Sequence, residues 1–338
     1  MLTKSIELSE KDKRILLALE TNARQSAAQI AKTASVSKEV VNYRIKKYLA
    51  SNIITKFFII PNFEKMGFTT YRIYLQFLAT TPQIEEEIIS YVRDFMPCQW
   101  IGMCDGRWDV IARIAARDIL EFNNFMGSFR EKYGKYIRQQ EVTVQLQHTW
   151  WPSTFGLTKE PLEKKPAHEI PKLMKTVSCD EKDLLIISEL MDDARISTVA
   201  IAGKVGLSPD AVNYRIKKLI RQGAITQIKS YFNREKLGYQ HNQIFVRFFQ
   251  EPKGIEKFIS FLNNFPSCFF ISSMVGAWDM QFGIDARNST EFHELFGKIK
   301  ETFPHVIRDY ESLIVYKEYA PNPFRLLLKL KTQNRKIL

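Results

Sequence analysis

Ser37–Lys47, SKEVVNYRIKK, recurs as Ser208–Lys218, SPDAVNYRIKK, and this pair of stretches decides how the chain is read. Val41–Lys47 and Val212–Lys218 are identical, so the chain is a tandem duplication and what one copy builds the other builds too. Each stretch reads as a helix. Ser37 and Ser208 are suited to N-cap it by accepting from free first-turn amides. Val41, Ile45 and Tyr48 form an inward stripe at helical spacing, as do Val212, Ile216 and Leu219. The outward face carries Lys38, Asn42, Tyr43, Arg44, Lys46 and Lys47 in one copy, and Asn213, Tyr214, Arg215, Lys217, Lys218 and Arg221 in the other. Lysine and arginine pair with phosphates, and asparagine and arginine also make bidentate contacts to base edges. A merely solvated face is the competing reading of any one such helix. The preceding helix and the presence of the whole constellation twice favour a face that meets duplex DNA.

Working upstream, Ser9–Glu20 opens with a cap and an acidic turn, then places Ile15, Leu16 and Leu19 on one side. A second short helix over Ser26–Thr33 and a tight turn at Ala34–Val36 complete a helix-turn-helix. The second copy repeats this over Ser178–Gln222 with Gly206 in the turn. Its counterpart, Ser35, implies local strain where positive φ is required. Downstream, the β-rich runs Ile53–Ile60 and Ile225–Tyr231 predict a wing hairpin in each copy.

Tyr71, Ile73, Leu75 and Phe77 then alternate with Arg72, Tyr74 and Gln76, the period of a half-buried strand. Gln83–Met96 is helical and stops at Pro97; strands follow at Cys98–Met103 and Trp108–Ala115, a helix at Asp118–Tyr133 and a strand at Tyr136–Thr149. The second copy repeats the order from Asn242 to Tyr319. The fold class is therefore α+β: two winged helix-turn-helix domains (1–60 and 178–231) and two ferredoxin-like βαββαβ domains (61–150 and 232–320) in tandem repeat. Residues 151–177, with Pro152, Pro161, Pro166 and Pro171, read as an extended connector, and the basic tail 321–338 as a frayed end.

A formal charge of +12 and a pI near 9.4 favour a polyanionic partner. No run of eighteen apolar residues and no signal-peptide core occur, so no membrane partner and a cytoplasmic location are expected. Cys98, Cys104, Cys179 and Cys268 show no metal-ligand spacing, and Cys98 and Cys268 are equivalent positions suited to burial. His148, His168, His241, His293 and His305 are scattered, and neither a nucleophile elbow nor a phosphate-binding glycine loop is present, so no catalytic residue, metal or cofactor is expected.

The chain resembles the Lrp/AsnC, or feast/famine, transcription regulators. The resemblance rests on Asp12 with Ile15 and Leu16; Asn22-Ala23-Arg24 and Asp193-Ala194-Arg195; the S-x-x-x-V-x-x-R-I-K-x-L recognition helices, which copy one ends with Tyr48; Lys65-Met66-Gly67 and Lys236-Leu237-Gly238; and the G-x-W-D sheet turns. It implies a DNA-binding, non-enzymatic regulator whose βαββαβ domains, called RAM, drive homo-oligomer formation and often bind an amino acid. Gly106 and Asp109, with Gly276 and Asp279, are then the expected effector-binding residues. A carboxylate in such a turn equally bonds its own backbone. The alternative reading is a sirohaem decarboxylase, since some proteins resembling this family hold a tetrapyrrole between the same domains. Gly238, Tyr239 and Asn242 match part of that pattern, but its arginine cluster is replaced by Thr226, Gln227, Ile228 and Lys229.

Overall fold

The computed structural model describes residues 8–151, 175–249 and 252–333. Three helices open each copy: α1 Glu10–Thr21, α2 Ala27–Ala34 and α3 Lys38–Ala50, then α6 Glu181–Asp192, α7 Thr198–Val205 and α8 Pro209–Gln222. Their ends follow from local chemistry. Ser9 with Asp12, and Asp180 with Asp183, form reciprocal capping boxes at the heads of α1 and α6. Helix α2 stops where Ser35 turns left-handed (φ 54°), as α7 stops at Gly206 (φ 64°). Without glycine's freedom, Ser35 holds this conformation at a cost of about 1–2 kcal/mol.

The expected wing hairpins are replaced by a shared element. Each copy contributes one strand, β1 Ile54–Pro61 or β6 Ile225–Phe232, and the two pair antiparallel with each other, Phe58 opposite Lys229. A lone strand leaves a row of unpaired amides and carbonyls, and duplication supplies its partner. Ile15, Leu19, Ile45 and Tyr48 of one unit, and Leu184, Ile187, Ile216 and Leu219 of the other, close over this ribbon as one apolar core.

The βαββαβ units are β2 Thr69–Phe77, α4 Pro82–Phe95, β3 Cys98–Asp105, β4 Val110–Ala116, α5 Ile119–Tyr133 and β5 Ile137–Trp150, then β7 Gln240–Phe248, α9 Pro252–Asn264, β8 Cys268–Gly276, β9 Met280–Ala286, α10 Ser289–Thr302 and β10 Ile307–Tyr319. Their sheets join edge to edge, β5 to β8 and β10 to β3, into a closed barrel ordered β10-β3-β4-β2-β5-β8-β9-β7. Closure removes the free edges and covers the inner faces. Each copy's sheet is thus covered by the other copy of the same chain. Helices pack outside, while Tyr74, Trp100, Trp108, Phe245 and Trp278 meet inside. Arg72, on the polar side of its strand's alternation, therefore faces the barrel interior at 2% exposure and donates to Gln145, Ser272 and Gln281.

The tail is not a frayed end over its described part. Pro323–Gln333 is helix α11, and the buried Phe324 ring stacks on Phe63 at 5.2 Å between centroids. Asn322 Nδ2 donates to the Ser188 carbonyl at 2.8 Å and fixes the approach. Most of the connector, residues 152–174, lies outside the described residues, as does His168. Burial pushes the Cys98 thiol up to about 12, so it packs as an inert apolar group.

Candidate nucleic-acid interface

Helices α3 and α8 are capped as their sequence requires: Ser37 Oγ accepts from the Val40 amide at 3.3 Å and Ser208 Oγ from the Ala211 amide at 3.2 Å. Val41, Ile45 and Tyr48, and Val212, Ile216 and Leu219, are buried beneath them. Lys38, Asn42, Tyr43, Lys46 and Lys47 lie exposed on α3, as do Asn213, Tyr214, Lys217 and Arg221 on α8. Tyr43 and Tyr214 stand out at 64% and 65% exposure, a matched pair of aromatic rings turned to solvent. Lys218 leans back to 3.9 Å from the Asp183 carboxylate.

The two arginines expected beside them behave differently. Arg44 Nη1 donates to Asp12 Oδ1 at 2.8 Å, and Arg215 Nη1 to Asp180 and Asp183, each at 2.7 Å. Both guanidinium groups are thus tied to the capping boxes of α1 and α6, a pairing whose only local trace is the acidic first turn of each helix. Burial works to raise the Asp12 carboxyl, but hydrogen bonds from Ser9 and Tyr48, with the Arg44 charge, outweigh it and hold it below its usual value. At Asp180, burial is likewise outweighed by the Asp183 amide and Arg215. Burial, followed by the Asp12 carboxylate, drives the Tyr48 phenol well upward. Each arginine locks its recognition helix to the first helix of its own unit, instead of standing free beside a base.

A second pair of arginines joins the units to each other. Arg24 Nη1 donates to the carbonyls of Ala194 at 2.5 Å and Ile196 at 2.9 Å; reciprocally, Arg195 Nη1 donates to those of Ala23 and, at 3.0 Å, Gln25. The Ala23 amide donates to Ile228 of β6, and the Ala194 amide to Phe57 of β1, both at 2.9 Å. The Asn-Ala-Arg and Asp-Ala-Arg tracts are therefore a two-way clasp across the ribbon. Sequence reasoning noticed these tracts without assigning them a role, because the clasp exists only once the copies face each other.

The G-x-W-D turns also have a structural use. Asp109 Oδ2 accepts from the Phe77 amide at 2.6 Å, and Asp279 Oδ2 from the Phe248 amide at 2.8 Å. Trp108 and Trp278 are buried inside the barrel. Gly106 and Gly276 adopt φ of +149° and +132°; a Cβ would come within 2.9 Å of Leu313 Cβ at one and of the Val142 carbonyl oxygen at the other. These four residues sit at the barrel seams, where both carboxylates are engaged by backbone amides of their own unit.

A model described as the AsnC-type helix-turn-helix domain matches residues 8–49, and one for winged helix-turn-helix DNA-binding matches residues 180–226. The HTH-type transcriptional regulator LrpC of Bacillus subtilis is 30% identical over 131 residues, 38% of this chain and 90% of LrpC. This chain belongs to the Lrp/AsnC family. An uncharacterised HTH-type transcriptional regulator of Pyrococcus horikoshii is 27% identical over 120 residues, 35% of this chain and 80% of its own. Each such relative matches one copy's worth of sequence, so this Lrp/AsnC member carries in one chain what those relatives carry in two. A solved structure of the same double layout is the siroheme decarboxylase NirDL, with a TM-score of 0.60 at 13% identity, covering 96% of this chain and 99% of that one. That likeness is one of fold: two helix-turn-helix units over a paired αβ scaffold. No helix among the described residues is long and apolar enough to cross a membrane, and no His/Cys/Asp/Glu cluster among them is arranged to hold a metal.

Proposed function

We propose that this Lrp/AsnC protein is a sequence-specific double-stranded DNA-binding transcription regulator that acts by binding rather than by catalysis. The observation that carries the reading is the presence of two capped, lysine-rich helices with solvent-facing Asn and Tyr side chains, held in a fixed mutual relation by the β1–β6 ribbon and the Arg24/Arg195 clasp. Lys38, Lys46, Lys47, Lys217, Lys218 and Arg221 serve phosphates, with the helix N-termini at Ser37 and Ser208. Asn42 and Asn213 are the base-edge readers, and Tyr43 and Tyr214 contact backbone or thymine methyl groups. Arg44 and Arg215 contribute indirectly, by fixing the orientation of each helix. One chain supplies both halves of an operator grip, with recognition elements meeting major-groove faces about one helical turn, ~34 Å, apart. Recovery and footprinting of genomic fragments bound by the purified protein tests this. Paired protected segments with a shared sequence support it, and equal retention of all fragments at moderate salt refutes it.

The sirohaem decarboxylase reading has one observation in its favour, the likeness to NirDL over nearly the whole of both chains. Two features weigh against it. Lys229, at the position where that reading needs anion-binding side chains, is buried in an ion pair with Glu20 at 2.7 Å. The cavity between ribbon and barrel measures about 70 Å³, far below the ~300–1,000 Å³ usual for sizeable ligands. Mixing the protein with sirohaem and following its absorbance decides the matter, and a saturable spectral shift would favour the enzyme.

A further inference from the structure

The two halves of the barrel are built on equivalent positions, and they have diverged under the ribbon. Strand registers set Thr70 beside Ala115 as His241 is beside Asp285, and Trp100 beside Arg113 as Phe270 is beside Gly283. In the second half the space is filled by charge. Arg234 Nε pairs with Asp285 at 2.8 Å, and Glu318 accepts from His241 Nδ1 and Trp100 Nε1, each at 2.8 Å, and from the Tyr231 hydroxyl. In the first half the positions of Arg234, Asp285, His241 and Glu318 are taken by Phe63, Ala115, Thr70 and His148, so neither the arginine nor either carboxylate is repeated there.

What remains there is a cavity of about 70 Å³, walled by Lys56 and Phe58 of the ribbon and by Gln99, Arg113, His148 and Trp150 of the barrel. Arg113 stands where the other half has glycine. Among the described residues no hydrogen bond or ion pair is made by its side chain, and its Nε is buried without an acceptor. A guanidinium stays charged in any such site and is costly to bury alone. Glu64, the carboxylate on the cavity wall, acts on the Arg113 charge through space but makes no hydrogen bond to it, accepting from Gln145 Nε2 at 2.9 Å, and Lys56 Nζ donates to the Ala320 carbonyl at 2.8 Å.

We infer that this chamber is a binding site for a small carboxylate of a few heavy atoms, with Arg113 as its charge partner and Phe58 and Trp150 as its apolar walls. The planar fork of arginine matches a carboxylate with two parallel hydrogen bonds, and the small volume limits the rest of the ligand. The site is distinct from the sheet turns at Gly106 and Gly276, and the inference is independent of the DNA-binding reading.

The test titrates the full-length protein with sodium acetate and sodium propionate against sodium chloride at equal ionic strength, reading the thermal midpoint and saturation-transfer NMR of the carboxylate methyl protons. Saturable binding is expected for the wild type, weakened about tenfold or more in Arg113→Gln. A second variant, Gln99→Phe, places in the chamber the ring that the other half carries at Phe269, and it should abolish the signal while leaving the guanidinium in place. Absence of saturable carboxylate binding, wild-type affinity in Arg113→Gln, or, if that variant does not fold, wild-type affinity in Gln99→Phe overturns the site. Inorganic phosphate binding as tightly as acetate overturns the assignment of a carboxylate.

Discussion

The recognition helices make a quantitative demand on salt dependence. Lys46, Lys47 and Lys217 are exposed on the outward faces of α3 and α8, whereas Lys218 leans toward Asp183. If each exposed lysine neutralises one phosphate, replacing all three by alanine lowers the slope of log K against log salt by about 2.7, at ~0.9 per contact. Between 50 and 200 mM salt, the wild type would then lose about 40-fold more affinity than the triple variant. The three side chains are solvated and far from the apolar core, so unfolding midpoints should be unchanged. Fluorescence anisotropy of a labelled duplex over a salt series reads the slope directly. A slope that stays the same in the variant, with folding intact, would show that these faces do not lie on DNA and would remove the basis for the regulator reading.

Other outcomes follow from the same contacts. Arg215→Ala strips the partner from Asp183, whose side chain is 1% exposed, and should cost about 1–3 kcal/mol in urea unfolding; an unchanged midpoint with weaker DNA binding would instead return this arginine to the interface. Asp12 and Asp180 are held below their usual pKa, so their contribution to stability is full above the unfolded value near 4 and fades as pH falls through the lower folded value. Unfolding midpoints followed from pH 6 to pH 3 should drop more steeply in the wild type than in Asp12→Asn, and parallel curves would contradict this. Replacing Arg24 and Arg195 together by alanine opens the clasp, and hydrogen exchange at the Ala23 and Ala194 amides should quicken by tenfold or more, about 1.4 kcal/mol; unaltered protection would show that the ribbon alone joins the units.

Much of this was legible locally. The helix-turn-helix units, their serine caps, the left-handed turn at Ser35 and the βαββαβ order are written in short-range patterns of three or four residues, and the structure follows them. What those patterns do not carry is long-range. The runs at Ile54 and Ile225 were recognisable as β, but that they pair with each other and not in hairpins depends on residues some 170 positions apart. The alternation of Arg72 with Ile73 marked two faces of a strand, and nothing local said that the polar one would be enclosed by a second sheet. Asp12 and Arg44 each had a sound solitary role, as cap and as base reader, until folding set them 2.8 Å apart.

The duplication itself, the family and the composition of the outward helical faces were determined by sequence alone, because they depend on residue identity and on periods shorter than one element. Tertiary structure decided which residues remain available for function. Folding within each copy gave Arg44, Arg215, Asp109 and Asp279 partners in their own unit, and the packing of ribbon on barrel left Arg113 facing a cavity. A charged side chain takes the counter-charge or backbone group that folding brings within reach, and its distance from that group along the chain carries no trace of it.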